Sequence, residues 1–181
     1  MSKQPQISPE KYIITKAATL PFHECFISEG WIENGMASIL LSKKMPSGKF
    51  IVGSYLIDMY CLGLKDTLFK FGFDQISYSE FLDVFNSGQK MIDCNLTFAH
   101  NLIYGAIDFA HDLGFSPQKD FKITEHLLDP DLIDDGIDEI EFGKDGKPLY
   151  VAGPYDNINR ILSTLDKNAG AGKYHYILPG N

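Results

Sequence analysis

Residues 36–60 constrain the fold more than any other stretch of this chain. Residues 36–43 (MASILLSK) favour an extended backbone, Pro46-Ser47-Gly48 supplies turn chemistry, and residues 49–60 (KFIVGSYLIDMY) return as a long second strand. Proline presets φ for the turn, and glycine accepts a positive φ on the return side. Alternation along the second strand puts Phe50, Val52, Ser54, Leu56, Asp58 and Tyr60 on one face. Ile51, Gly53, Tyr55, Ile57, Met59 and Cys61 fall on the other. Both faces are largely apolar, which predicts a central strand covered on two sides.

Beyond the hairpin the periodicity becomes helical. Ser77 and Glu80 have the spacing of a capping box, predicting a helix over about 77–87 that Gly88 ends. Leu96, Ala99, Leu102, Ile103, Ala106, Phe109, Ala110 and Leu113 recur at three- and four-residue steps, so 96–113 is the clearest helix. Gly114 and Pro117 stop it. A last helix is expected at about 155–166. Residues 12–14 and 22–28 read as short extended segments, and Lys144-Asp145-Gly146-Lys147 as the turn of a second hairpin at about 137–152. The fold class that follows is α+β, an antiparallel N-terminal sheet packed with helices. A chain of 181 residues buries roughly 70% of its unfolded surface as one domain. Residues 1–9 are expected to form a flexible arm and 168–181 a loosely attached tail.

Charge narrows the function classes. The formal charge is −8, which argues against non-specific nucleic-acid binding, since that needs a basic surface. Residues 129–145 hold eight of the twenty-four acids and one base, and so carry nearly all of that excess. Asp131, Asp134, Asp135 and Asp138 of this segment are candidate contacts for a basic protein partner. An EF-hand reading of the segment fails, because with Gly136 in place the third and twelfth ligand positions are Ile133 and Phe142. The tail sequence AGAGKY fails as a phosphate-binding loop, with Lys167 where glycine and Tyr174 where serine or threonine is required. No apolar run approaches the ~20 residues of a membrane span. The polar first ten residues lack the apolar region of a secretory signal. Cys25, Cys61 and Cys94 form neither an even framework nor a CxxC pair, which predicts reduced thiols in a cytoplasmic protein, most simply buried as small hydrophobes. His23 and Cys25 have no further ligand at zinc spacing.

Two places invite chemistry. His100, Tyr104, Asp108 and His111 fall on one stripe of the long helix. Residues 56–66 (LIDMYCLGLKD) place Asp58 in an otherwise apolar strand, and a buried carboxylate must be hydrogen-bonded or functional. A candidate cleft therefore comprises Asp58, Cys61, Lys65 and Asp66, assisted by His100. The plain alternative is that Asp58 caps a neighbouring backbone or pairs with Lys65.

Four motif pieces carry a resemblance. They are Trp31-x3-Gly35-x-Ala37, Asp58-x2-Cys61-Leu62-Gly63-x-Lys65-Asp66, the GAxxFAxxLGFxPxxD pattern from Gly105 to Asp120, and the EFGxDGKP pattern from Glu141 to Pro148. Together they resemble an uncharacterised family of bacterial proteins, a domain of unknown function. The resemblance implies no activity or cofactor. Many members carry His where this chain has Gln118, so any catalysis built on that His would be missing here.

The reading that follows first is a non-enzymatic binding or adaptor domain using its acidic segment. The alternative is a metal-dependent nuclease or phosphoesterase, with Asp58 and Asp66 as ligands and Lys65 stabilising developing charge, by loose analogy with ribonuclease-H-like sheets. A cysteine enzyme pairing Cys61 with His100 comes third.

Overall fold

The computed structural model describes residues 7–129, 132 and 140–180. Asp131, Asp134, Asp135 and Asp138, and the expected first strand of the second hairpin up to residue 139, lie outside them.

The chain is an α+β fold built on five antiparallel strands. The first helix, α1 (Pro9–Lys16), leads into β1 (Phe22–Ser28), a single helical turn α2 (Trp31–Asn34), and the hairpin β2 (Met36–Lys44) and β3 (Phe50–Asp58). Strand β4 (Gly63–Phe73) follows, then α3 (Gln75–Gly88), the short edge strand β5 (Met91–Asp93) and α4 (Leu96–Asp112). The sheet order is β4-β3-β2-β1-β5. As the apolar alternation requires, β3 is internal and both its faces are covered. Ile39, Leu41, Ile51, Tyr55 and Ile57 pack under α4, whereas Leu40, Phe50 and Val52 meet Tyr78 of α3.

A third apolar cluster lies beyond the β3–β4 turn. Cys61, Leu113, Tyr150 and Leu165 are buried together there. They join the end of α4 to β6 (Leu149–Val151), α6 (Ile158–Leu165) and β7 (His175–Ile177). A helical turn α5 (Phe121–Thr124) docks on the sheet through Tyr55, whose hydroxyl donates to Thr124 O at 2.8 Å.

Several local expectations are corrected. Residues 12–14 lie within α1, because Ser8 caps that helix and Pro9 opens it. The cap of α3 is Asp74, which accepts from Ser77 N–H at 2.8 Å; Ser77 sits inside the helix as a donor. Residues 63–73 are a full strand that Gly63 starts and that the sequence reading did not name. Lys144 and Lys147 close the predicted turn by an antiparallel bridge, but β6 takes a parallel partner, β7. The tail is thereby tied into a two-stranded sheet, with His175 N–H donating to Pro148 O at 2.8 Å. Among the described residues no helix is long and apolar enough to cross a membrane.

Candidate functional site

Asp58 is the last residue of β3 and makes the turn into β4. Its Oδ1 accepts from Tyr60 N–H at 2.9 Å and Cys61 N–H at 3.1 Å. A carboxylate reaching the backbone two and three residues on is what fixes such a turn. Burial, opposed by these backbone bonds and by the Lys65 charge, holds its pKa above the usual carboxylate range. The carboxylate expected within an otherwise apolar strand is therefore a backbone cap, and the capping alternative describes it.

Of the other predicted residues, Cys61 stays beside Asp58 and Lys65 acts on both through its charge, whereas Asp66 and His100 do not join them. Cys61 is fully buried, and burial, with Asp58 beside it, pushes its thiol up to about 12. Asp66 is exposed and its Oδ1 accepts from Thr67 N–H at 2.9 Å. It shares no ligand position with buried Asp58, and among the described residues no group of three His, Cys, Asp or Glu side chains could hold a metal.

His100 belongs to the opposite end of the sheet. It is 1% exposed, and its Nε2 accepts from Asp129 N–H at 3.2 Å. Burial, outweighing that bond, lowers its pKa, and the charge of Lys43 acts on it as well. Lys43 lies seven residues along β2 from Met36, which pairs with Asp58. His100 also lies six residues, about 9 Å of helix rise, before Ala106, whose carbonyl meets Gly63 opposite Asp58, and its ring bonds Asp129 and neither Asp58 nor Cys61. The supposed polar stripe also divides, with His100 in the core and Asp108 and His111 exposed. The buried face of the helix runs through Ala99, Leu102, Ile103, Ala106 and Ala110 and takes in His100, but not Asp108 or His111.

Lys65 leads elsewhere. Its Nζ lies 3.9 Å from Asp156 Oδ1, at a groove of about 450 Å³ between the start of β4, the loop after α4 and the N-terminal half of α6. Leu62, Leu64 and Phe115 form apolar walls. Asn157, Arg160, Ile161 and Thr164 line it at the spacing of one helix face. Asp156 is fixed before any ligand arrives, because its Oδ2 accepts from Tyr150 Oη at 3.0 Å and Gly153 N–H at 2.8 Å. Gln118 is also fixed. Its Oε1 accepts from Asp120 N–H at 2.6 Å and its amide nitrogen donates to Asp120 Oδ2 at 3.1 Å.

No family model, no curated protein and no solved structure matches this chain.

The groove holds two cations against one carboxylate, in a chain of formal charge −8. Arg160 is exposed, and among the described residues no acidic group pairs with its guanidinium. It is also the chain's single arginine among sixteen basic residues, a signal that could have drawn attention to it. Tyr155, 98% exposed, adds a bare ring at the rim. Sequence reasoning found Lys65 but missed Arg160, Asp156 and Asn157, because they are brought to Lys65 only by the packing of α6 on Cys61 and Leu113.

Proposed function

We propose that this chain is a non-enzymatic binding domain whose groove at Lys65 and Arg160 takes a small organic anion. The observation that carries this reading is the Arg160 guanidinium, without an acidic partner among the described residues, facing a cavity beside Lys65. A planar fork with five donors suits a carboxylate or phosphate, which it can hold through two parallel bonds. The volume lies within the ~300–1,000 Å³ of small-molecule sites. The apolar walls and the Tyr155 ring suit the ligand's non-ionic part. Two of the motif pieces that resemble the bacterial family also meet at this groove, through Lys65 from one and Phe115 from the other. That links the groove to the motifs on which the resemblance rests.

The test is thermal unfolding with citrate and pyrophosphate as probes, against sodium chloride at equal ionic strength. A site filled to tenfold above its Kd raises stability by about 1.4 kcal/mol. The expected result is a rise in Tm that Arg160→Ala abolishes. An equal rise in wild type and Arg160→Ala would overturn the reading.

A second reading keeps the acidic segment as a contact for a basic partner protein in the cytoplasm. Its described ends support this, since both are anchored. Asp129 N–H donates to His100, and Phe142 stacks on Phe109 with ring centroids 5.9 Å apart. Reversing Asp131, Asp134, Asp135 and Asp138 to lysine should abolish co-purification of such a partner; unchanged recovery would remove this reading.

A further inference from the structure

Cys25 and Cys94 are far apart in sequence and face each other in the fold. Strand β1 pairs with β5 in the register Phe26↔Asp93, Ile27↔Ile92 and Ser28↔Met91. Continuing that register by one residue sets Cys25 opposite Cys94, and Cys94 N–H does donate to Cys25 O at 2.9 Å. Opposed residues of an antiparallel ladder stand about 4.5–5.5 Å apart at Cα, inside the range a disulfide spans. An opposed pair carries its side chains on one face of the sheet, and the Cys94 S–H donates to Asn95 O at 3.4 Å. Both are free.

The partners are unequal. Cys25 is 5% exposed within the core, whereas Cys94 is partly open to solvent beside an edge strand of only three residues. Cys94 also directly precedes Asn95, the N-cap of the seventeen-residue α4, where the helix end favours an anion. The neighbouring thiol lowers the Cys94 pKa and raises that of Cys25. One thiol is thus suited to attack and the other to wait as a protonated neighbour.

We propose that Cys25 and Cys94 form a reversible intramolecular disulfide, with a peroxide as oxidant and Cys94 as the attacking thiol. The Cys94 thiolate attacks a peroxide oxygen, the O–O bond breaks, and the protonated leaving oxygen departs as water, leaving a sulfenic acid. Cys25 Sγ then attacks Cys94 Sγ. The S–S bond forms, the S–O bond breaks, and the hydroxyl leaves as water with the Cys25 proton. Two thiols are oxidised by two electrons and hydrogen peroxide is reduced to two waters. A small dithiol reverses the step by exchange. The device does not depend on the groove at Lys65.

The test is peptide mapping of the full chain after treatment with stoichiometric hydrogen peroxide, without reductant. The expected product is a cross-link between the Cys25 and Cys94 peptides of one chain, with Cys61 still free and the link removed by dithiothreitol. In Cys25→Ser, dimedone should trap a sulfenic acid at Cys94. Alkylation of native Cys94 at neutral pH should run about tenfold faster than in the urea-unfolded chain. The wild-type map stands even if a serine variant folds poorly. Three free thiols after peroxide, a sulfenic acid persisting at wild-type Cys94, or a Cys94–Cys94 link between two chains would each overturn the proposal.

Discussion

Tyr150 Oη donates to Asp156 Oδ2 at 3.0 Å, and through this bond the fully buried base of β6 holds the carboxylate that faces Lys65. Burial, with Asp156 as acceptor, pushes the Tyr150 hydroxyl above its ordinary pKa, so it stays a donor throughout the neutral range. Tyr150→Phe and Asp156→Asn should each destabilise the fold by about 1 kcal/mol. The double variant should cost less than the sum of the singles, because both remove one bond. Urea unfolding of the four proteins measures that coupling, and strict additivity would mean the bond does not hold the groove wall.

Asp58 gives the protein a pH dependence of known sign. Its folded-state pKa is raised above 3.8 by burial, so its contribution is fully present below that value and is lost as pH rises through the folded pKa. Relative to Asp58→Asn, whose amide oxygen can still accept from Tyr60 and Cys61 N–H, wild type should therefore lose stability as pH rises through that window. Asp58→Ala should cost about 1–3 kcal/mol at any pH by leaving two backbone donors without an acceptor. Unfolding curves at acid and neutral pH check both statements.

His100 acts in the opposite sense. Burial lowers its folded-state pKa below 6.5, so its contribution is complete above 6.5 and is lost as pH falls through the folded value. Nε2 accepts from Asp129, so Nδ1 carries the proton, and among the described residues Nδ1 has no hydrogen-bond partner. Protonating Nε2 would remove the acceptor of the Asp129 bond. His100→Gln should flatten the fall in Tm on the acid side of 6.5, and an unchanged slope would contradict the assignment.

Gly63 and Gly72 form a controlled pair at the two ends of β4. Both have positive φ, 66° and 78°. A Cβ on Gly63 would come within 2.6 Å of Ala110 Cβ and 2.7 Å of Ala106 O, whereas one on Gly72 meets nothing within 4 Å. Backbone strain is thus common to both alanine variants, and the contact with α4 is confined to one. Gly63→Ala should cost at least about 2 kcal/mol more than Gly72→Ala by chemical denaturation. Equal losses would place the whole effect in the backbone.

The elements legible in the sequence are those whose signals are local. The hairpin 36–60 was readable because β-compatible runs flank a Pro-Ser-Gly turn, and the apolar residues on both sides of β3 announced a covered strand. The helix 96–113 was readable from one apolar stripe between Asn95 and Gly114. Strand β4 was not, because a start at Gly63 is dictated by the close approach of α4 and by pairing with β3. Nor was the parallel join of β6 to β7, whose three-residue strands carry too little pattern to name a partner. In the candidate site, Lys65 was picked out by its motif; Asp58 and Cys61 stay within reach of its charge, but Asp66 and His100 do not join them. Asp58 is spent on a turn, and His100 faces the far end of the sheet.

Sequence alone determined the α+β class, the central hairpin and the long helix, because periodicity and turn chemistry act within a few residues. Tertiary structure alone decided that Lys65 meets Asp156 and Arg160, and that Cys25 meets Cys94. Those meetings depend on which helix packs at which sheet end and on strand register, and both are set by burial summed over the whole chain.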